Sequence, residues 1–83
     1  MLRILREAIT NAGRHGQAQK VVVRLWRDDR TNLTVEDDGR GFDSSLPTRG
    51  FGLVSMRERA HAVGATFGVA SRIGHGTRVE VSM

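Results

Sequence analysis

Glu7, Asn11, Arg14 and His15 bring a carboxylate, an amide oxygen and two bases into one stripe when the chain is wound as a helix. A hydrated Mg²⁺ carrying phosphates suits such a set. The hard ion takes oxygen ligands and keeps waters, while the bases meet the remaining phosphate charge. A solvated helix face has the same composition, so the stripe gains meaning only beside the rest of the chain. Asp37-Asp38-Gly39-Arg40-Gly41 has the form D-x-G-x-G. Its glycines let the backbone pass close to a flat ligand, and its first carboxylate can accept from an exocyclic amine such as that of adenine. An ordinary Asp-Gly turn after a strand reads the same way. Gly50-Phe51-Gly52-Leu53 opens a helix, whose free N–H groups and dipole favour an anion. No Gly-Lys-Ser/Thr follows, so it is not a Walker loop. Gly74-His75-Gly76-Thr77 leads into a last strand, as a tight hairpin turn or as a carrier of a hydroxyl to the site.

The elements that must position these groups follow from periodicity. MLRILREAITNA reads as a helix from its second residue, with Ile4, Leu5, Ala8, Ile9 and Ala12 as the apolar face. Gly13 and Gly16 are expected to weaken and end it. No cap precedes this helix, which suggests a fragment of a longer protein. Residues Lys20 to Trp26 form a β-branched strand, and Asp28-Asp29-Arg30 turns it back. Residues Thr31 to Asp37 return, with Leu33 and Val35 inward and Thr34 and Glu36 outward. Parity therefore turns Asp37 inward, where a bare carboxylate is costly and must be paired.

Residues Asp38 to Gly52 read as a loop, and Leu53 to Val63 as a helix with Leu53, Met56, Ala60 and Val63 on one side. Gly64 is its expected C-cap. Thr66 to Ser71 and Thr77 to Ser82 form a second hairpin. With Val79 and Val81 inward, Thr77 faces the side of Asp37. The order αββαββ predicts an α/β two-layer sandwich, a mainly antiparallel sheet with helices on one face.

Bulk composition sets the limits. The 83 residues form one small domain, which buries only about 60% of its unfolded surface and is marginally stable without help. There is no Cys, so disulfides and thiolate metal sites are excluded. No signal peptide or membrane-length apolar run is visible, and a cytoplasmic address is expected. All but one of the 13 basic residues are Arg and the net charge is +4, but the arginines are scattered with little aromatic interleaving. Nucleic acid, a polyanionic small molecule and an acidic partner fit that charge equally.

The four motifs stand in a fixed order: E-x-x-x-N-x-x-R-H, D-x-G-x-G, G-x-G-L and G-x-G-T. Together they resemble the ATP-binding domain of the gyrase, heat-shock chaperone, histidine kinase and MutL superfamily, the Bergerat fold. The nearest resemblance is to the catalytic domain of histidine kinases of the nitrate-sensor (NarL-partnered) class. REAITNAGRHGQAQ is similar to its N box, VEDDGRGFD to its first glycine box, and the stretch from GFGLVSMRERA to GHGTRVEV to its closing half. The likeness covers nearly the whole chain, residues 1–83.

The resemblance implies ATP and Mg²⁺ as cofactors. Asn11 would be the Mg²⁺ ligand, with Glu7 holding a metal-bound water or acting as the catalytic base. Arg14 and His15 would approach the phosphates or ribose, and Asp37 would read the adenine amine. Gly39 and Gly41 would shape the pocket floor, Gly50 and Gly52, with Leu53 behind them, would flank the phosphates, and Thr77 would support the adenine contact. The implied activity is transfer of the γ-phosphate to a histidine on a separate helical dimerisation domain, and from there to a response regulator.

The parent is expected to be a homodimer. Neither nucleic acid nor membrane is an expected partner of this domain. Three departures qualify the likeness. The family's strand and helix ahead of the N box are missing, which implies an N-terminally truncated domain. The nucleotide lid, Ser44 to Arg49, is short. No histidine stands in a phosphoacceptor context, and His61 reads as a solvated surface residue. The rivals are an anti-sigma-factor serine kinase, which shares the N box, and a degenerate nucleotide-binding or docking module.

Overall fold

The computed structural model describes residues 2–14, 17–42 and 53–83. Along them run α1 (Leu2–Arg14), β1 (Val21–Arg27), β2 (Thr31–Asp37), α2 (Leu53–Ala62), β3 (Thr66–Ser71) and β4 (Thr77–Ser82). The strands form one antiparallel sheet in the order β1-β2-β4-β3. Both helices pack on one of its faces, α1 over β2 and α2 over β3, and against each other. The two-layer α/β sandwich and the order αββαββ are therefore as the sequence predicts.

Alternation along β2 and β4 builds the core. Leu33, Val35, Val79 and Val81 point to the helices and are buried, and Ile4 and Ala8 of α1 and Met56 and Ala60 of α2 close over them. The i, i+4 spacing of Ile4, Ala8 and Ala12 puts three buried side chains on one line of α1. Ile9 was expected on that face but is 43% exposed. It lies about 100° around the helix from Ala8, beyond the stripe the sheet covers.

The hairpin ends are tied by local chemistry. Between β1 and β2, Asp28 Oδ1 accepts from Arg30 N–H (2.8 Å) and Asn32 Nδ2 (3.1 Å). The C-terminus of α2 is closed by Gly64 at φ 75° and a hydrogen bond from Ala65 N–H to Ala60 C=O (2.8 Å), which bears out Gly64 as the cap.

Several local expectations are corrected. Helix α1 runs through Gly13 to Arg14, and the left-handed residue beyond it is Gln17 at φ 52°; Gly16 lies outside the described residues. Strand β1 begins at Val21 and ends at Arg27, one residue later than expected at each end. Val63 follows the end of α2 and is 56% exposed, because the chain has turned off the helical face before reaching it. Thr34 points away from the helices yet is buried. It sits on an inner strand between Arg24 and Glu80 in the register, and these longer side chains flank the short one. Strand β1 shows the converse. Val21, Val23 and Leu25 lie on the helix side, opposite Asp37, Val35 and Leu33, but stay exposed because the helices lie over β2 and β3.

Candidate functional site

Antiparallel pairing of β2 with β4 puts the end of one strand beside the start of the other. Asp37, last in β2, is the register partner of Thr77, first in β4. Both share parity with buried neighbours, Val35 and Val79, so both turn toward the helices. The D-x-G-x-G and G-x-G-T segments, far apart in sequence, thus meet at one end of the sheet.

Glycines let the two segments lie closer than side chains would allow. Gly41 (φ 64°) and Gly76 (φ 77°) both have left-handed backbones. A Cβ on Gly41 would overlap the carbonyl oxygens of Arg72 and Gly76, and one on Gly76 would overlap the carbonyl of Asp37. Gly74 N–H donates to Arg40 C=O (2.6 Å) across the same contact. Beneath it lies the hydroxyl of Ser71, 9% exposed, which accepts from Phe42 N–H and donates to Gly76 C=O, both at 2.9 Å. Ser71 Oγ is also 2.9 Å from Thr77 Oγ1.

Above these loops a small cleft opens between sheet and helices. Its walls are apolar, from Ala8, Val35, Phe42, Leu53 and Val79, and its polar groups are Asn11, Asp37 and Thr77, with Gly41 at one side. Few, convergent polar groups on apolar walls are what a small-molecule site presents. Asp37 Oδ1 accepts from the N–H of buried Gly39 (2.9 Å), which fixes the carboxylate and leaves Oδ2 to a ligand. The arrangement suits a flat heteroaromatic ring between apolar walls, with an amino group aimed at Asp37.

Of the residues the sequence nominates, Asn11, Asp37, Gly41, Leu53 and Thr77 line this one cleft, and Gly39 anchors Asp37. Glu7 lies one turn before Asn11 on α1, half-buried and outside the lining. His15, Gly50, Gly52 and the lid Ser44 to Arg49 lie outside the described residues, as does the side chain of Arg14. Glu7 and Asn11 offer hard oxygens only, a donor type suited to Mg²⁺. Among the described residues no cluster of three His, Cys, Asp or Glu forms a self-sufficient metal site. An ion there would need oxygens from its own waters and from phosphates. His61 is exposed, as expected.

Sequence reasoning missed Ser71, Phe42 and Asp38. Parity would have found the first, since Phe67, Val69 and Ser71 alternate toward the helices as Leu33, Val35 and Asp37 do. Asp38 carries no such signal. Its Oδ1 accepts from Gln19 N–H and Lys20 N–H, both at 2.9 Å, and pins the chain entering β1 to the end of β2. The Lys20 N–H foremost, opposed by desolvation and aided by the Gln19 N–H, holds the carboxyl of Asp38 below its ordinary range.

This fold and cleft define a two-layer α/β domain with a small-molecule cleft at one end of its sheet. Residues 1–83 match the family described as histidine kinase-, DNA gyrase B-, and HSP90-like ATPase, and the chain belongs to that family. It is 45% identical to the sensor protein VraS of Staphylococcus aureus (strain COL) over 98% of its own length, and 24% of that relative's. It is 39% identical over its full length to the signal transduction histidine-protein kinase/phosphatase UhpB of Salmonella typhimurium, of which it spans 16%. The chain therefore spans a quarter or less of these curated relatives. Among solved structures, the histidine kinase domain of the Erythrobacter litoralis EL346 blue-light activated histidine kinase matches 96% of the chain and 41% of its own, at 27% identity and a TM-score of 0.71.

Proposed function

We propose that residues 1–83 are the catalytic ATP-binding domain of a two-component sensor histidine kinase. The observation that carries this is the convergence of Asn11 on the helix layer with Asp37 and Thr77 on the sheet layer around one apolar-walled cleft. In this reading the adenine ring lies between Ala8, Val35, Leu53 and Val79, and its amine donates to Asp37 Oδ2. The ring's position then directs the phosphates toward the C-terminal end of α1. There Asn11 and Glu7 would hold Mg²⁺, with Glu7 reaching it through a metal-bound water, and Arg14 and His15 would meet phosphate or ribose oxygens. The ion would neutralise phosphate charge.

Phosphoryl transfer asks for positioning and charge stabilisation more than for covalent chemistry from the protein. The domain's task is accordingly to hold the γ-phosphate in line with an external nucleophile. That nucleophile is a histidine on a helical dimerisation domain of the parent kinase, a homodimer, and a response regulator receives the phosphate next. Support comes from the names of the relatives and from the absence of an acceptor context around His61 and His75. The SMRERA run of α2 and the Gly-His-Gly-Thr turn further favour the nitrate-sensor (NarL-partnered) class. No described helix is long and apolar enough to cross a membrane.

The test is phosphorylation in trans. The chain is mixed with the helical domain of its parent kinase and ATP labelled at the γ-phosphate. Label should appear on that domain's histidine, acid-labile and base-stable, more slowly than in the tethered protein. Acid-stable label on a serine would instead identify a serine kinase, and stable label on the 83-residue chain itself would overturn the division of labour.

A further inference from the structure

We infer that Ser71 is a positioning residue that sets the hydrogen-bond polarity of the base pocket, so that Thr77 faces the ligand only as an acceptor and the site selects a 6-amino purine over a 6-keto purine. This rests on the proposed reading of the cleft as an adenine site and assigns a role to a residue outside it.

Ser71 Oγ has one proton and two lone pairs. A carbonyl can only accept, so the 2.9 Å contact with Gly76 C=O uses the Ser71 proton. The buried Gly76 carbonyl has otherwise only a long 3.4 Å approach from Arg72 N–H, and leaving it poorly satisfied is costly. Phe42 N–H occupies one lone pair of Ser71. The remaining 2.9 Å contact, with Thr77 Oγ1, must then have Thr77 as donor. With its proton committed to Ser71, Thr77 offers the cleft lone pairs alone.

Its register partner Asp37 is likewise an acceptor when ionised. Two acceptors side by side welcome an amino group and repel a carbonyl oxygen. Ser71 touches no ligand in this account and acts through Thr77. Its own contacts bridge the loop after β2 and the turn before β4, so one hydroxyl both ties the two glycine segments and fixes the direction of a third group.

The test compares Mg-ATP with Mg-ITP, whose base carries oxygen in place of the amine, by calorimetry on the wild type, Ser71→Ala, Thr77→Val and the double variant. Wild type should prefer ATP. Ser71→Ala frees the Thr77 proton to donate to a 6-keto oxygen, and the ATP:ITP affinity ratio should fall about two- to tenfold, the worth of one hydrogen bond. In the Thr77→Val background, Ser71→Ala should leave the ratio unchanged, because the group it orients is gone. Ser71→Cys, similar in volume but a weak donor, takes the same measurement if the alanine variant does not fold, with the same expected fall. An unchanged ratio in Ser71→Ala, or in the Cys variant standing in for it, overturns the inference while leaving the adenine site standing. So does an equal fall with and without Thr77, which would make Ser71 a structural tie only. A wild type that binds neither nucleotide, or both alike, overturns the adenine reading and this inference with it.

Discussion

Asp37 and Thr77 face each other across the β2–β4 ladder, each the terminal residue of its strand, and both turn to the helix side. This single pairing joins two glycine motifs that lie far apart in sequence. Opposite residues in such a ladder bring their Cβ atoms to about 4.5–5.5 Å. A carboxylate and a hydroxyl at that spacing can address one edge of a heterocycle.

Asp37→Asn keeps the side chain's shape and removes its charge. A charge-assisted hydrogen bond is worth about 1.5–3 kcal/mol, so ATP affinity should fall roughly ten- to a hundredfold. Calorimetry finding equal affinity in the two proteins would remove Asp37 from the base site.

Asn11→Ala should abolish the Mg²⁺-dependent part of ATP binding and, in the proposed parent kinase, phosphotransfer, and leave metal-free nucleotide binding largely intact. Mg²⁺ accepts few protein ligands and demands near-octahedral oxygens, so the loss of one is not made good by neighbours. Retained kinase activity in this variant contradicts the assignment.

Gly76→Ala and Gly74→Ala separate close approach from backbone conformation. Both glycines have left-handed φ, 77° and 82°, but only at Gly76 would a Cβ collide with backbone, the carbonyl of Asp37. Gly74→Ala should cost about 1 kcal/mol for its conformation alone. Gly76→Ala should cost at least about 1–3 kcal/mol more, because strands and loop must shift to make room. Urea unfolding that ranks the two variants equally would count against the close packing of the two loops.

Met56 is completely buried between α2 and the sheet, whereas Val63, just past the helix, is 56% exposed. Met56→Ala should destabilise the domain by about 2–5 kcal/mol, enough to unfold a marginal fold of this size. Val63→Ala should stay within about 0.5 kcal/mol of wild type. Thermal melts with and without Mg-ATP make the comparison, since a ligand that binds only the native state raises the midpoint.

Acid stability should depend on Asp38. Its carboxyl is held below the ordinary range by the Lys20 N–H above all. A depressed folded-state value contributes stability above the unfolded value of about 3.9, and this contribution is lost as pH falls through the lower, folded value. Asp38→Asn should therefore narrow its stability difference from wild type as pH drops below about 4. A difference that stays constant from neutral pH into that acid range would show that the carboxylate's charge does not matter. Asp28, shifted the same way by the Arg30 N–H first and then by Asn32, is the internal comparison.

Much of this protein is legible in its sequence because the decisive signals are periodic and local. Alternation alone sets the bounds of β2, β3 and β4 to the residue and turns Asp37 and Thr77 inward. The four motifs in order point to the family, and Gly41, Gly74 and Gly76 mark places where backbone must bend or pass closely. Tertiary structure decided what periodicity cannot carry. Whether Ile9, Thr34 or Val63 is buried depends on how wide a stripe a neighbouring layer covers and on which long side chains flank a short one. The helix-side exposure of Val21, Val23 and Leu25 has the same origin, because pattern gives the face of a strand but not whether a helix lies over it. Ser71 shows the limit most clearly. Parity turns its hydroxyl inward, but only the meeting of two loops distant in sequence gives that hydroxyl three partners, and with them the direction of the proton on Thr77.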